Sequence, residues 1–229
     1  MIEFRNVSFQ YQYADLPLLT NLSFCLQNGT NTVLCDYQSG KTTIAKLLMG
    51  QISPTSGAIL WNGQPLEQMG LAERGILYLP KQPVFFNGKS VFFNLAYPLR
   101  VRKTPKKQIE QIVMKVANQL GIENLLKTKA GKLTDQQQLQ VALARGLTVQ
   151  RQVVVLDGFL EQLDQQQKQQ VFSLLQHIPT CIILTDDTSL AQGTTVVLDG
   201  GTCVFQGDAT TAQSVVENLY WLANKTRSN

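Results

Sequence analysis

The 229-residue sequence predicts an α/β fold with a parallel-sheet core, an antiparallel β subdomain and an inserted helical subdomain. Three observations carry this expectation. Val153–Leu156 (VVVL) and Cys181–Leu184 (CIIL) are uninterrupted apolar runs, the pattern of parallel strands covered on both faces. The helical stretch QQQKQQVFSLLQHI lies between them and completes a β-α-β unit. Between residues 90 and 147 the apolar period becomes helical, and no strand-like run interrupts it.

The elements follow in order. Ile2–Phe9 and Leu22–Leu26 alternate as short strands, and Asn31–Cys35 is an apolar strand that ends in a turn. Ser39-Gly40-Lys41-Thr42-Thr43 opens a helical pattern that Gly50 closes. Residues 54–66 read as a turn, a strand and a tight hairpin at Asn62-Gly63. Ile76–Leu79 is a further strand, followed by Pro80-Lys81-Gln82-Pro83. The helical stretch is assigned to a subdomain at 88–148 within a single domain over 1–229. After the β-α-β unit come a closing hairpin around Asp199-Gly200-Gly201 and a short amphipathic helix at 215–225.

Composition excludes several chemistries. Twenty Lys+Arg against 16 Asp+Glu give a net charge of +4, too mild to argue for nucleic acid. One histidine rules out a His-cluster metal site and leaves little room for His-based acid–base catalysis. Cys25, Cys35, Cys181 and Cys203 lack C-x-x-C spacing and lie in or beside apolar runs, so buried, reduced thiols are expected. No segment approaches the ~18 apolar residues of a membrane span, and the first residues do not read as a signal peptide. The expectation is a cytoplasmic protein. There are about 27 glutamines, several times the usual share. Their two clusters, DQQQLQ and DQQQKQQ, are interleaved with apolar residues at helical spacing and read as solvated helix faces.

The strongest local signal is a strand, a six-residue loop, then Gly40-Lys41-Thr42 at a helix start. In the pattern G-x-x-x-x-G-K-[ST], backbone N–H groups and the helix N-terminus surround phosphates. The lysine reaches the β/γ oxygens and the hydroxyl ligates Mg²⁺. Cys35 occupies the first glycine position here, so the literal pattern is broken, but the strand–loop–helix context and the later VVVLD support phosphate binding.

The order of segments resembles the nucleotide-binding domain of ATP-binding cassette (ABC) transporters over nearly the whole chain. The opening strands, PTSGAILWNGQPL, the run from ILYLPKQ to Asn94, LTDQQQLQVALARGL, VVVLDGFLEQLD, CIILTDDTSLA and the closing hairpin each match a family segment in the family's order. The resemblance implies a P-loop NTPase with a RecA-like sheet, and ATP with Mg²⁺ as ligands. It implies nucleotide contacts from Tyr11, Gln38, Ser39, Gly40, Lys41, Thr42 and Thr43, with Tyr13 a rival to Tyr11 for stacking on adenine. Thr42 and Asp157 would hold the metal, and Asp164 falls in the D-loop.

The hydrolytic positions depart from the family. Gly158 stands where a glutamate polarises the attacking water, a contribution of ~10²–10⁴-fold in rate. Glu161 follows three residues on and is not an obvious substitute. Asp186 aligns with the histidine that contacts the γ-phosphate, which places negative charge where phosphoryl transfer needs the reverse. The only histidine, His177, lies upstream at a helix end, where a surface or capping role is expected. Lys81 occupies the glutamine-loop position, with Gln82 next to it. The signature reads Leu133-Thr134-Asp135-Gln136-Gln137, with a usable hydroxyl at Thr134 but Asp135 and Gln136 in place of glycines. Gln38 also replaces a family glycine.

The combination implies an ATP-binding subunit of an ABC transporter that hydrolyses poorly. It would pair with a homologous nucleotide-binding subunit as a hetero- or homodimer, and with a transmembrane subunit on the cytoplasmic face of the membrane. The competing expectation is a regulatory or scaffolding protein that keeps the fold and binds ATP without turnover. Phe92 and Phe93 lie near the position that receives the membrane subunit. Arg100, Arg102, Lys103, Lys106 and Lys107 read as a solvated loop before a helix, and Trp61 and Leu219–Leu222 as packing.

Overall fold

The computed structural model describes residues 1–36, 40–70, 73–149 and 151–226, with side chains from residue 220 onward outside the description. In chain order, β1 (Ile2–Phe9), β2 (Leu19–Leu26) and β3 (Gly29–Cys35) precede α1 (Lys41–Met49). Then come β4 (Ser56–Trp61), β5 (Gln64–Pro65), β6 (Ile76–Pro80), α2 (Val91–Val101), α3 (Lys106–Leu120) and α4 (Asp135–Leu147). The chain closes with β7 (Val153–Asp157), α5 (Gln165–Leu175), β8 (Thr180–Thr185), β9 (Thr194–Asp199), β10 (Thr202–Asp208) and α6 (Ala209–Thr226).

Two sheets result. β1 and β2 alternate buried and exposed residues, and an antiparallel sheet runs β2-β1-β4-β5. Phe4 and Phe24 stack across it at 4.3 Å, and Trp61 is buried at its end. The six-stranded sheet runs β10-β9-β3-β8-β7-β6. Within it β3 pairs in parallel with β8 and β9, and β7 in parallel with β8. Every residue of β7 and β8 is buried, which is why those strands read as continuous apolar runs rather than alternating ones. Parallel pairing brings the carboxyl ends of β3, β7, β8 and β9 to one edge, where α/β sheets bind ligands.

The chain forms two compact units, residues Met1–Tyr78 with Gln152–Asn229, and Leu79–Arg151. The second contains the helical stretch expected at 88–148. There α2, α3 and α4 bury Leu95, Leu99, Val113, Val116, Leu120, Leu139 and Leu143. Asn94 is fully buried and ties the preceding loop to α2, accepting from Phe86 N at 2.9 Å and donating to Ser90 O at 3.0 Å.

Several boundaries differ from the sequence reading. β2 begins at Leu19 rather than Leu22, and the last helix begins at Ala209 rather than residue 215. Asp208 starts that helix early, because its carboxylate accepts from the Thr211 N–H at 2.9 Å and hydroxyl at 2.8 Å. Cys35 and Cys181 are buried, whereas Cys25 and Cys203 are only half-buried, and all four are free thiols. The glutamine runs lie on exposed or half-exposed helix faces as expected. Two of them do more. Gln137 and Gln167 complete capping boxes with Thr134 and Asp164 at the starts of α4 and α5.

Candidate functional site

The turn from β3 into α1 fixes the first part of the site. Gly40 caps α1 at φ 96°, a left-handed backbone that favours glycine, and a side chain there would also have to displace the Leu19 Cδ2 methyl at 2.7 Å. Lys41 and Thr42 therefore open the helix, at the end where orphan N–H groups favour an anion. Arg74 steadies the other end, where its guanidinium reaches the Leu48 carbonyl at 3.4 Å. Gln38 and Ser39 lie outside the described residues. Cys35, in the first glycine position, is buried at the end of β3, and that burial pushes its thiol up to about 12. It presents a neutral group to its neighbours Lys41, Asp157 and Asp186.

Asp157 ends β7 and is buried. Its Oδ2 accepts from the Thr42 hydroxyl at 2.9 Å and from the Tyr78 hydroxyl at 2.8 Å. Burial, followed by the Asp157 charge and this hydrogen bond, pushes the Tyr78 phenol well above its usual range, so Tyr78 stays a donor. Sequence reading did not single out Tyr78; its place beside Asp157 depends on neighbouring strands. Gly158, next in the chain, sits at φ 63° with its N–H on the Leu184 carbonyl at 3.1 Å. The position that would carry the glutamate is thus wound into the left-handed region, which costs an L side chain roughly 1–2 kcal/mol.

The end of β8 holds Asp186. Its Oδ2 lies 2.5 Å from Lys41 Nζ, so the lysine expected at the phosphates is ion-paired within the chain. Burial pushes the Asp186 carboxyl up, but the hydrogen bond and charge of Lys41 together hold it below its ordinary value. The turn is braced from both sides. Thr185 donates its hydroxyl to Glu161 Oε1 at 3.0 Å and accepts from the Asp187 N–H at 3.0 Å. The Glu161 side chain also reaches Asp186. Sequence reasoning had set Glu161 aside; the 3-10 turn at Leu160–Gln162 carries it back to the end of β8.

The other expected residues fall as follows. The Tyr11 hydroxyl bonds the Thr43 hydroxyl at 3.0 Å, and its ring meets Phe9 edge-on, which fixes it beside α1. Tyr13, its rival, is 93% exposed against 40% for Tyr11. Asp164 accepts from Gln167 N at 2.8 Å as the cap of α5. His177 is exposed beyond that helix. In the second unit, Lys81 and Gln82 are exposed just after β6. The Thr134 hydroxyl accepts from Gln137 N at 3.3 Å as the cap of α4, and Asp135 and Gln136 are exposed in its first turn. Phe93 packs with Phe86 and Tyr97, the latter two 44% and 42% exposed. Of the basic residues expected in a loop, only Arg102 and Lys103 lie between α2 and α3. Arg100 is in the last turn of α2 with its guanidinium over the Phe93 ring at 5.0 Å, and Lys106 and Lys107 open α3, all of them exposed.

These donors suit a nucleotide phosphate with Mg²⁺. A hydroxyl and a carboxylate, already converging at 2.9 Å, are the hard oxygen ligands that Mg²⁺ takes alongside phosphate oxygens and water. Among the described residues no three His, Cys, Asp or Glu side chains are grouped to hold a metal. Lys41 and the N-terminus of α1 offer the positive charge. Nothing at Gly158 offers a base.

Comparison with known proteins bears on the family. The family described as "ABC transporter" matches residues 19–160. Molybdate/tungstate import ATP-binding protein WtpC of Thermococcus kodakarensis is 34% identical over 149 residues, 65% of this chain and 45% of its own. Spermidine/putrescine import ATP-binding protein PotA of Legionella pneumophila is 31% identical over 186 residues, 81% of this chain and 50% of its own. The chain thus spans about half the length of these curated relatives. A bacterial Atm1-family ABC exporter with ATP bound superposes with a TM-score of 0.80 at 25% identity, over 92% of this chain and 39% of the exporter. A dimeric ATP-binding cassette bound to ADP and Pi gives a TM-score of 0.81 at 18% identity, over 91% of this chain and 99% of that one. With its P-loop lysine, the neighbouring threonine and the β7 aspartate at one sheet edge, the chain belongs to the ABC transporter family.

Proposed function

We propose that this chain is a nucleotide-binding subunit of an ABC transporter that binds ATP with Mg²⁺ and turns it over poorly. The observation that carries the binding half is the convergence of Lys41, Thr42 and Asp157 at the carboxyl ends of β3 and β7. When bound, Mg²⁺ would supply charge neutralisation on the phosphates, with Thr42 and Asp157 as its protein ligands. Lys41 and the α1 N-terminus would orient the phosphate chain, and Tyr11 would support the adenine.

The hydrolytic half rests on Gly158 and Asp186. Gly158 offers no base to take a proton from water, and Asp186 engages the lysine that would otherwise meet the growing charge on phosphate. At the signature, Thr134 accepts the α4 cap and keeps its O–H to donate, but Asp135 adds a negative charge beside it. A homologous subunit with an intact site would complete the dimer. A transmembrane subunit would dock on the aromatic surface of Phe86, Phe93 and Tyr97, placing the chain at the cytoplasmic face of a membrane. No described helix is long and apolar enough to cross one itself. The relatives' names carry molybdate, tungstate and polyamines for their own proteins; this chain's cargo is set by its membrane partner.

Isothermal titration of the purified chain with MgATP tests the binding half. Binding should be present and should weaken at least about a hundredfold in Lys41→Ala; no binding, or binding indifferent to that change, sinks it. Co-purification from native membranes with an integral membrane protein separates the transporter reading from a free regulatory protein.

A further inference from the structure

The geometry points to a site that prefers a nucleoside diphosphate over the corresponding triphosphate, with Asp186 occupying the place on Lys41 that a γ-phosphate would take. The inference rests on the nucleotide-binding reading above and concerns which nucleotide that site favours.

An ammonium has three N–H donors. In this chain one is committed to Asp186 Oδ2 at 2.5 Å. The remaining two, with the N–H groups that open α1, can still reach a β-phosphate approaching along the helix axis. A γ-phosphate is treated differently. It must either share Lys41 with the Asp186 carboxylate or push that carboxylate away.

Both routes are costly for reasons visible in the site. An ionised carboxylate only accepts hydrogen bonds, so Asp186 offers no donor to a phosphate oxygen. Its displacement is opposed by the turn that holds it, in which the Thr185 hydroxyl donates to Glu161 and accepts from the Asp187 N–H. The surroundings give no further relief. Glu161 hydrogen-bonds to Asp186 and helps it stay ionised, Asp157 lies with it near Cys35, and Cys35 contributes a buried neutral thiol. Like charges in contact repel appreciably at a protein surface, and the Asp186 side chain is 38% exposed, so solvent screens part of the effect. A preference of up to about fivefold for the diphosphate is the expected scale.

Titration calorimetry with MgADP and with the magnesium complex of the β,γ-imido analogue of ATP tests this. Both ligands are run on the wild-type chain and on Asp186→Asn, which keeps the side-chain shape and removes the charge. The wild type should bind MgADP up to about fivefold more tightly than the triphosphate analogue. Asp186→Asn should recover most of that factor for the triphosphate while moving MgADP less than about threefold. Equal affinities in the wild type, or a triphosphate preference, would overturn the inference while leaving the nucleotide reading intact. A wild-type preference that persists unchanged in a folded Asp186→Asn chain would also overturn it, because the discrimination would then come from elsewhere. Binding of neither nucleotide by the wild type would bring down the nucleotide reading and this inference together. The wild-type ratio stands even if the variant fails to fold.

Discussion

β7 and β8 are neighbouring parallel strands, paired so that Asp157 stands opposite Leu184, and each carries an aspartate at or just past its carboxyl end. The two aspartates have opposite surroundings. Asp157 is buried and satisfied by two hydroxyl donors, neither of them charged. Asp186 is partly exposed and takes its stabilisation from an ammonium. The difference teaches how one sheet edge can hold one carboxylate on neutral hydroxyls and tie the other to a lysine. A carboxylate held by neutral donors keeps its negative charge available to a cation. A carboxylate that already engages Lys41 competes with an anion for that lysine and takes one of its three donors.

The largest effect should come from the buried member. Asp157→Ala strands the Tyr78 hydroxyl in a partly buried setting and is expected to cost about 2 kcal/mol in denaturant unfolding. It should also abolish the Mg²⁺ dependence of nucleotide binding. A change of less than ~0.5 kcal/mol would mean that Asp157 is not held as described.

Gly158→Glu comes next. Its left-handed backbone predicts a loss of roughly 1–2 kcal/mol and no gain of ATPase activity, whether alone or with Asp186→His. Revival of turnover at ordinary transporter rates in that double variant would show that the backbone refolds locally to present the base.

Asp186→Asn should have the smallest effect on stability, below about 1 kcal/mol at neutral pH, because solvent reaches the pair. Its sign with pH is fixed. The folded-state carboxyl is held below its unfolded value of about 3.9, so its contribution is full above that pH. It is lost as pH falls through the lower folded value. Thermal melts of wild type and variant should therefore differ at pH 7 and converge as acid protonates Asp186. A gap that widens in acid contradicts the ion pair.

The elements of the fold were largely legible, because burial on both faces writes itself into VVVL and CIIL, and helical period into the stretch from residue 90 to 147. The ends were less so. Asp208 and Thr211 cap α6 six residues upstream of the expected start, a D-x-x-T signal weaker than the apolar pattern that follows it. The capping boxes at Thr134 and Asp164 were legible in retrospect, since each has a glutamine three residues on. Of the site, Lys41 and Thr42 were legible from the strand–loop–helix pattern, and Asp157 from the family resemblance. Tyr78 and Glu161 were not, since each reaches the site only through strand pairing or a tight turn.

Sequence by itself determined which groups are available: one phosphate-loop lysine, an aspartate after VVVL, a glycine where a base is expected, and an aspartate where a histidine is expected. Only the tertiary structure decided what those groups do to one another. Lys41 and Asp186 are far apart along the chain, and nothing in local pattern links them. Parallel pairing of β3 with β8 brings them to the same edge, where opposite charges at contact distance pair. The glycine at 158 was legible as a missing carboxylate; its left-handed backbone, held by a bond to β8, is what the fold added.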